Sequence, residues 1–454
     1  MIGPIVFLGL YLAAQIGVGF WVSRRIRNEA DYVVAGRSLG PLLVSATVFA
    51  TWFGAEACVG AAGQVYAHGL RSVSSDPFGY GFAVVLFGLV VATPLYRTGI
   101  LTLADLFRQR YGATVERVVA ILLIPGSLLW ASAQIRAFGQ ILSSTLGFDV
   151  TPSIFVAASV SVFYTSLGGM LADAYTDLIQ GGALLVGLVV LTVIAFASAS
   201  PEAIDAAFTF VDTHESISIF ETVEAWAIPI IGSLMAQELA SKTLAARSET
   251  VARRATVGAG LLYLVVGIIP VALGALARVE LPGLEEGDQV LPAFAAHHLG
   301  TIGQLIFVGA LLSAVLSTVD SALLVAGSVF AHNFVGPVSG GRVDPLALAR
   351  RSVVAFGALA TFFAIVGESV HDLVYEASAF ASAGFVVCGL FALFTKTGGA
   401  RTAMATLVVG TVAYILFAHV LHVDAPYVSA LAVSLLTFVS GAVVERLAVR
   451  VPQP

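Results

Sequence analysis

The sequence predicts an all-α membrane protein of about thirteen transmembrane helices, and three observations lead there. Only 11% of the 454 residues are Asp, Glu, Lys or Arg, against about 25% in ordinary soluble domains, while 58% are apolar. Apolar runs of roughly 20 residues, each long enough to cross a hydrocarbon core of about 30 Å, recur from Val6 to the C-terminus. The basic residues gather in alternate connections between those runs, as the positive-inside rule requires.

The first run, Ile5 to Val22, is followed by Arg24, Arg25 and Arg27 instead of being preceded by basic residues. That is the reverse of a secretory signal peptide, so the run is expected to stay as a helix. With the N-terminus outside, Arg37 joins those three on the cytoplasmic face. The second run, Leu42 to Ala67, reaches an outer loop with Arg71, and the third, Phe78 to Leu95, returns to Arg97, Arg108, Arg110 and Arg117. The fourth, Val118 to Leu146, carries Arg136 within it; the fifth and sixth, Ile154 to Gly169 and Leu178 to Ser198, follow closely. An acidic outer stretch, Glu202 to Glu224, leads into the seventh, Val223 to Ala240, which delivers Lys242, Arg247, Arg253 and Arg254 inside. The eighth, Val257 to Leu276, ends at Arg278 and the acidic stretch Glu280 to Asp288. The ninth, Ile302 to Phe330, returns to Arg342, Arg350 and Arg351, and the tenth, Val353 to Val366, goes back out. The eleventh, Ala377 to Phe394, precedes Lys396 and Arg401; the twelfth, Ala403 to Phe417, and the thirteenth, Tyr427 to Val444, finish before Arg446 and Arg450. A wrong span count would scramble this partition. The chain is therefore expected to be a multi-pass protein of the cell (plasma or inner) membrane with a cytoplasmic C-terminus.

Two spans contain backbone breakers: the second at Gly54, with Gly60 and Gly63 beyond, and the seventh at Pro229 and Gly232. They cross in opposite directions and lie five spans apart, the spacing of two five-helix repeats of inverted topology whose unwound backbones meet near the midplane. The repeats are expected at about 41–199 and 222–395, with extra helices at 3–23, 401–420 and 424–446.

Several chemistries are excluded. Gly36-Arg37-Ser38-Leu39-Gly40 matches a nucleophile-elbow pattern but sits in a basic loop without the strand and helix that such an elbow needs. The only lysines, Lys242 and Lys396, follow no glycine-rich phosphate loop, which argues against direct use of ATP. The eight histidines show no metal-ligand spacing, His297 and His298 reading as solvated, and Cys58 and Cys388 read as small buried hydrophobes. No nucleophile and base pairing survives, so an enzyme is not expected. Nor does any segment resemble a ring-forming channel filter.

The ninth span contains Ala314-Val315-Leu316-Ser317-Thr318-Val319-Asp320-Ser321. Its hydroxyls and carboxylate suit a hard cation such as sodium, with carbonyls freed at a broken helix completing the shell. Hydroxyls of this kind also bond their own backbone or a neighbouring helix, whereas an intramembrane carboxylate such as Asp320 is costly unless used or paired.

With these residues the chain resembles the sodium/solute symporters, which include proline, sugar, sialic acid and choline transporters. The resemblance spans nearly the whole chain. It rests on Asp31-Tyr32, Gly36 to Gly40, Thr102-Leu103-Ala104-Asp105, Arg110-Tyr111-Gly112, Tyr164 through Gly168-Gly169 to Tyr175-Thr176-Asp177 with Gln180, and the Ser317-Thr318 pair. It implies a LeuT-like 5+5 inverted-repeat core with one helix before and two after. It also implies a sodium site built from the carbonyls of Ala50, Phe53 and Ala314 and the hydroxyls of Ser317 and Thr318. A second sodium would fall at Asp177, Ser317, Asp320 and Ser321, although Asp177 reads equally as an interfacial carboxylate. Each sodium entering contributes roughly 2.3 kcal/mol per 100 mV and roughly 1.4 kcal/mol is a tenfold gradient, so a second ion would square the attainable ratio. No cofactor beyond one or two sodium ions is expected. The expected partners are a small solute, sodium and the lipid bilayer, not nucleic acid.

The choline branch in particular is similar in Ala50-Thr51-Trp52, Pro77-Phe78-Gly79-Tyr80 and Ile124-Pro125 followed by Trp130-Ala131. That branch boxes a quaternary ammonium in aromatic rings, and Trp52, Tyr80 and Trp130 match three walls. Ala236 stands where the fourth would be, and Glu56 and Arg136 are foreign to the pattern. Those two charges either pair with each other or receive the ammonium and carboxylate of a zwitterion, with Gln140 a turn from Arg136. Gln237 and Glu238 are further solute candidates, Glu238 having Lys242 one turn on as an alternative partner. The expected activity is sodium-coupled symport of a small cationic or zwitterionic solute such as an amino acid, betaine or choline-like compound. The alternatives are a carboxylate carrier, or a proton-coupled symporter using Glu56, Asp177 or Asp320.

Overall fold

Backbone N–H and C=O groups find no water in hydrocarbon, so apolar runs of this length satisfy them internally as helices. The computed structural model describes residues 24–450 apart from 71–76, 210–217, 285–286, 340–341 and 368, together with parts of 6–22. Among the described residues the chain is helical and forms no strand, a lone bridge pairing Leu39 with Ala246.

The helices that matter below are α1 (Pro41–Trp52), α2 (Ala61–His68), α3 (Phe78–Leu86), α4 (Leu103–Tyr111) and α5 (Ala113–Leu146) in the first part of the chain. They continue as α6 (Val150–Ser198), α7 (Ile219–Ala227), α8 (Gln237–Leu244), α9 (Glu249–Glu280) and α10 (Thr301–Val329). The last five are α11 (Pro345–Val366), α12 (Val370–Ala379), α13 (Ser382–Phe394), α14 (Ala400–Ile415) and α15 (Pro426–Arg450).

Nine described helices are long and apolar enough to cross a membrane, and two bent pairs, α1 with Glu56–His68 and α12 with α13, raise this to eleven. The expected fifth span is present as the shorter apolar helix Val150–Phe163. The first, Ile5 to Val22, lies half outside the described residues, so the total of thirteen stays an expectation.

The expected sixth span begins too late. Gly169 turns the chain with φ 59 and ψ 175, where a Cβ would meet the Tyr32 ring at 2.6 Å, and helix resumes directly after it. Asp173 and Asp177 are therefore helical and buried within the bundle. The cause is local: carboxylates that have partners inside the bundle can stay in a helix that composition alone would end.

The bundle is organised around α10, which packs on α5 and α6 and is 72% buried over its apolar window, against 28% for α15. Large apolar side chains such as Val186, Val193, Phe362 and Leu436 cover the outside. Cys58 and Cys388 are buried thiols outside any disulfide, and the Cys388 thiol donates to the Ala403 carbonyl at 3.6 Å. His298 is not solvated as expected: it bonds Glu280 at 2.7 Å and Ser198 at 3.1 Å, with His297 beside it.

Candidate functional site

Helix α1 ends because Phe53 leaves helical geometry (φ -91, ψ 60) and Gly54 follows; the chain bends by 55° before resuming at Glu56. The bend releases backbone groups, and one side chain from α5 collects them. Gln134 accepts from the Ala55 N–H at 2.9 Å and donates to Glu56 at 2.7 Å. A Cβ on Gly54 would lie 2.5 Å from the Thr318 hydroxyl, 2.9 Å from Gln134 and 3.0 Å from Glu56, so any larger residue there would force those side chains to shift. The Glu56–Arg136 pair left open by the sequence is not formed. Arg136 donates instead to the Ala364 carbonyl at 3.1 Å. Gln140, one turn further along α5, is buried with its amide oxygen unpartnered.

Facing the break, Thr318 on α10 donates toward the carbonyls of Thr51 (3.1 Å), Ala314 (3.3 Å) and Ala50 (3.5 Å). Ala50, Ala314 and Thr318 thus come together as expected, with Phe53 at the end of α1 and Thr51 as an added carbonyl. Ser317 points to the other side and donates to Asp177 on α6. A hydroxyl that donates to a carboxylate keeps its lone pairs for a cation.

Around Asp177 the structure gathers more charge than the sequence predicted. Its carboxylate also accepts from Thr47 and lies 3.4 Å from the Lys242 ammonium, which is ion-paired with Asp173. Ser321 donates to Asp173 at 3.3 Å and shares a hydrogen bond of 3.1 Å with Thr51. Asp320 accepts from Thr165 at 2.8 Å. All of these side chains are buried.

The aromatic candidates also meet. Trp52 stands edge-on to Trp130 with centroids 5.0 Å apart and lies 5.9 Å from Tyr80, whose hydroxyl bonds Ser378 at 2.9 Å. The rings fill the space between themselves. Open space lies beyond Trp130, in a cavity at the interruption of the seventh span, where helix gives way at Ser233 to Ala236 before α8. Ser127, Ser233, Glu238, Ser378 and Ser382 supply polar groups to its wall. Glu238 does not pair with Lys242 one turn on; Ser127 donates to it at 2.5 Å. Gln237 lines the same cavity but its oxygen accepts the Leu103 N–H at 2.6 Å, fastening the start of α4.

Three residues were missed: Gln134, Asp173 and Lys242. Gln134 follows Trp130 by four residues and Asp173 precedes Asp177 by four, which places each on the face of a residue already singled out. Lys242, at the end of an apolar run, was assigned to the cytoplasmic loop by charge alone.

The sodium:solute symporter family model matches residues 32–410. The chain belongs to that family. It is 28% identical over 432 residues to High affinity choline transporter 1 of Homo sapiens, covering 88% of this chain and 74% of that relative. It is 22% identical to the osmoregulated proline transporter OpuE of Bacillus subtilis, covering 89% of this chain and 87% of that relative. A Na+-coupled sialic acid symporter solved in a substrate-bound outward-open state superposes with a TM-score of 0.82 at 17% identity, over 98% of this chain and 97% of the other. The fold is LeuT-like. As a sodium:solute symporter the protein is a multi-pass membrane transporter, not an enzyme, and couples sodium to the symport of a small solute.

Proposed function

We propose that the transported solute carries a positive charge, alone or within a zwitterion. The carrying observation is that the Trp130 ring and the Glu238 carboxylate line one cavity at the interruption of the seventh span. A ring face and a carboxylate both favour an ammonium group, and the surrounding hydroxyls suit its polar neighbours. The choline and proline transporters among the relatives agree with a solute of this kind. Trp52 and Tyr80 back the cavity through Trp130 and Ser378, Gln237 lines it, and Glu56, Gln140 and Arg136 are assigned to the solute path beside it.

Sodium binds between the α1 break and α10, at the carbonyls of Ala50, Phe53 and Ala314 and the hydroxyls of Ser317 and Thr318. Asp177, Ser317, Asp320 and Ser321 form a second cation position behind it. An ion bridging the two helices favours the state in which they stay close, which is how binding biases alternating access. The core repeats are 41–199 and 222–395, in a plasma or inner membrane with the N-terminus outside and the C-terminus cytoplasmic. A thermal-shift screen of choline, betaines, amino acids and small carboxylates, with and without sodium, tests the solute class. Sodium-dependent stabilisation by an ammonium compound is expected; stabilisation by a simple monocarboxylate alone would refute the positive charge and promote Arg136 to main anchor.

A further inference from the structure

A lysine with no exposure inside a membrane bundle has to be used, because an ammonium leaves water only where carboxylates replace it. Lys242 reaches back from α8 to α6, where its ammonium meets Asp173 and comes within 3.4 Å of Asp177. Those carboxylates are not otherwise idle. Asp177 holds the Ser317 and Thr47 hydroxyls, and Asp173 holds Ser321 at 3.3 Å. Asp177, Ser317 and Ser321 are three of the four residues at the second cation position, so the ammonium stands at that position's centre of negative charge.

We propose that the ε-ammonium of Lys242 is a tethered cation that fills this second position, so that the protein binds one sodium ion per cycle and not two. The inference rests on the sodium reading of the α1–α10 site. An ammonium carries the same charge as sodium and offers three donors to the oxygens that would otherwise coordinate the ion. A sodium ion entering the same cluster would face a like charge that cannot diffuse away. The tether also has a positive use. It neutralises Asp177 without taking its Oδ1, which stays free to hold Ser317 and leaves that hydroxyl's lone pairs unspent. Because Lys242 lies on the broken seventh span, the built-in cation moves with α8 instead of exchanging with solution.

The test counts ions directly: equilibrium binding of radioactive sodium alone to the purified full chain in lipid nanodiscs. The wild type is expected to bind one sodium per chain without cooperativity, and Lys242→Arg, which keeps the cation, also one. Lys242→Gln vacates the position and is expected to bind two. Two ions on the wild type would overturn the proposal, as would one ion on a folded Lys242→Gln variant. Should Lys242→Gln fail to fold, the wild-type count still decides. Failure of the wild type to bind any sodium is a different result: it sinks the sodium site itself, and the proposal with it.

Discussion

Replacing Gly54 by alanine is expected to weaken sodium binding about tenfold while leaving the protein folded. The added Cβ would stand 2.5 Å from the Thr318 hydroxyl and 2.9 Å from the Gln134 oxygen. Heavy atoms rest near ~3.5 Å, so the hydroxyl has to retreat by about 1 Å. That retreat takes it away from the Thr51 and Ala50 carbonyls, now 3.1 and 3.5 Å distant, which are the oxygens an ion would share with it. Overpacking of this kind costs about 1–3 kcal/mol. If the portion falling on the ion-bound state is roughly 1.4 kcal/mol, the sodium concentration for half-saturation rises tenfold. Quenching of tryptophan fluorescence by sodium reads this directly, since Trp52 adjoins the break. Gly60→Ala serves as control, its Cβ meeting only the Ala55 carbonyl at 3.8 Å. Equal sodium affinity and melting temperature in Gly54→Ala and wild type would refute the reasoning.

Gln134→Leu should lower the melting temperature and expression, because the Ala55 N–H and the Glu56 carboxylate lose their amide partner in a buried site, at about 1–3 kcal/mol for each group; an unchanged melting curve would contradict it. Glu238→Gln should weaken binding of an ammonium solute at least tenfold in a sodium-containing thermal-shift titration, while sodium binding alone stays within about twofold, the charge being lost from the cavity and not from the α1–α10 site. For topology, Ser248→Cys should resist an impermeant thiol reagent in intact cells, since the connection after α8 carries Arg247 and the start of α9 carries Arg253 and Arg254. Efficient labelling there would reverse the assigned orientation.

What the sequence discloses about the fold follows from the solvent. Hydrocarbon forces every long apolar run into helix, so span positions were readable from composition. The second-span interruption falls at Gly54, where the sequence puts it, whereas Pro229 stays in helical backbone, as Pro125 and Pro270 do, and the seventh span is interrupted beyond it at Ser233 to Ala236. Thr318 and the α1 carbonyls meet because a broken helix exposes carbonyls to whatever polar face lies opposite, while Ser317 turns to Asp177. The charged interior was less legible. Lys242 looked cytoplasmic because charge counting treats every basic residue near a span end as solvated, and its long side chain can reach inward instead. Glu56 and Arg136 looked like natural partners by charge, yet a neutral amide, Gln134, won Glu56 because it alone could also satisfy the Ala55 N–H. Such choices depend on which atoms a bend sets free, and linear spacing does not carry that.

A sodium ion held by Ser317 and Thr318 against the α1 break is proposed to drive uptake. The measurement is solute uptake into proteoliposomes under an inward sodium gradient, against an equal potassium gradient, for wild type and the double variant Ser317→Ala with Thr318→Ala. Alanine is a good helix former, so the variant should fold. Concentrative uptake by the wild type is expected in sodium only, with a steep rise in the sodium concentration for half-maximal transport in the variant. Equal wild-type uptake in potassium, or an unchanged sodium dependence in the double variant, would contradict it.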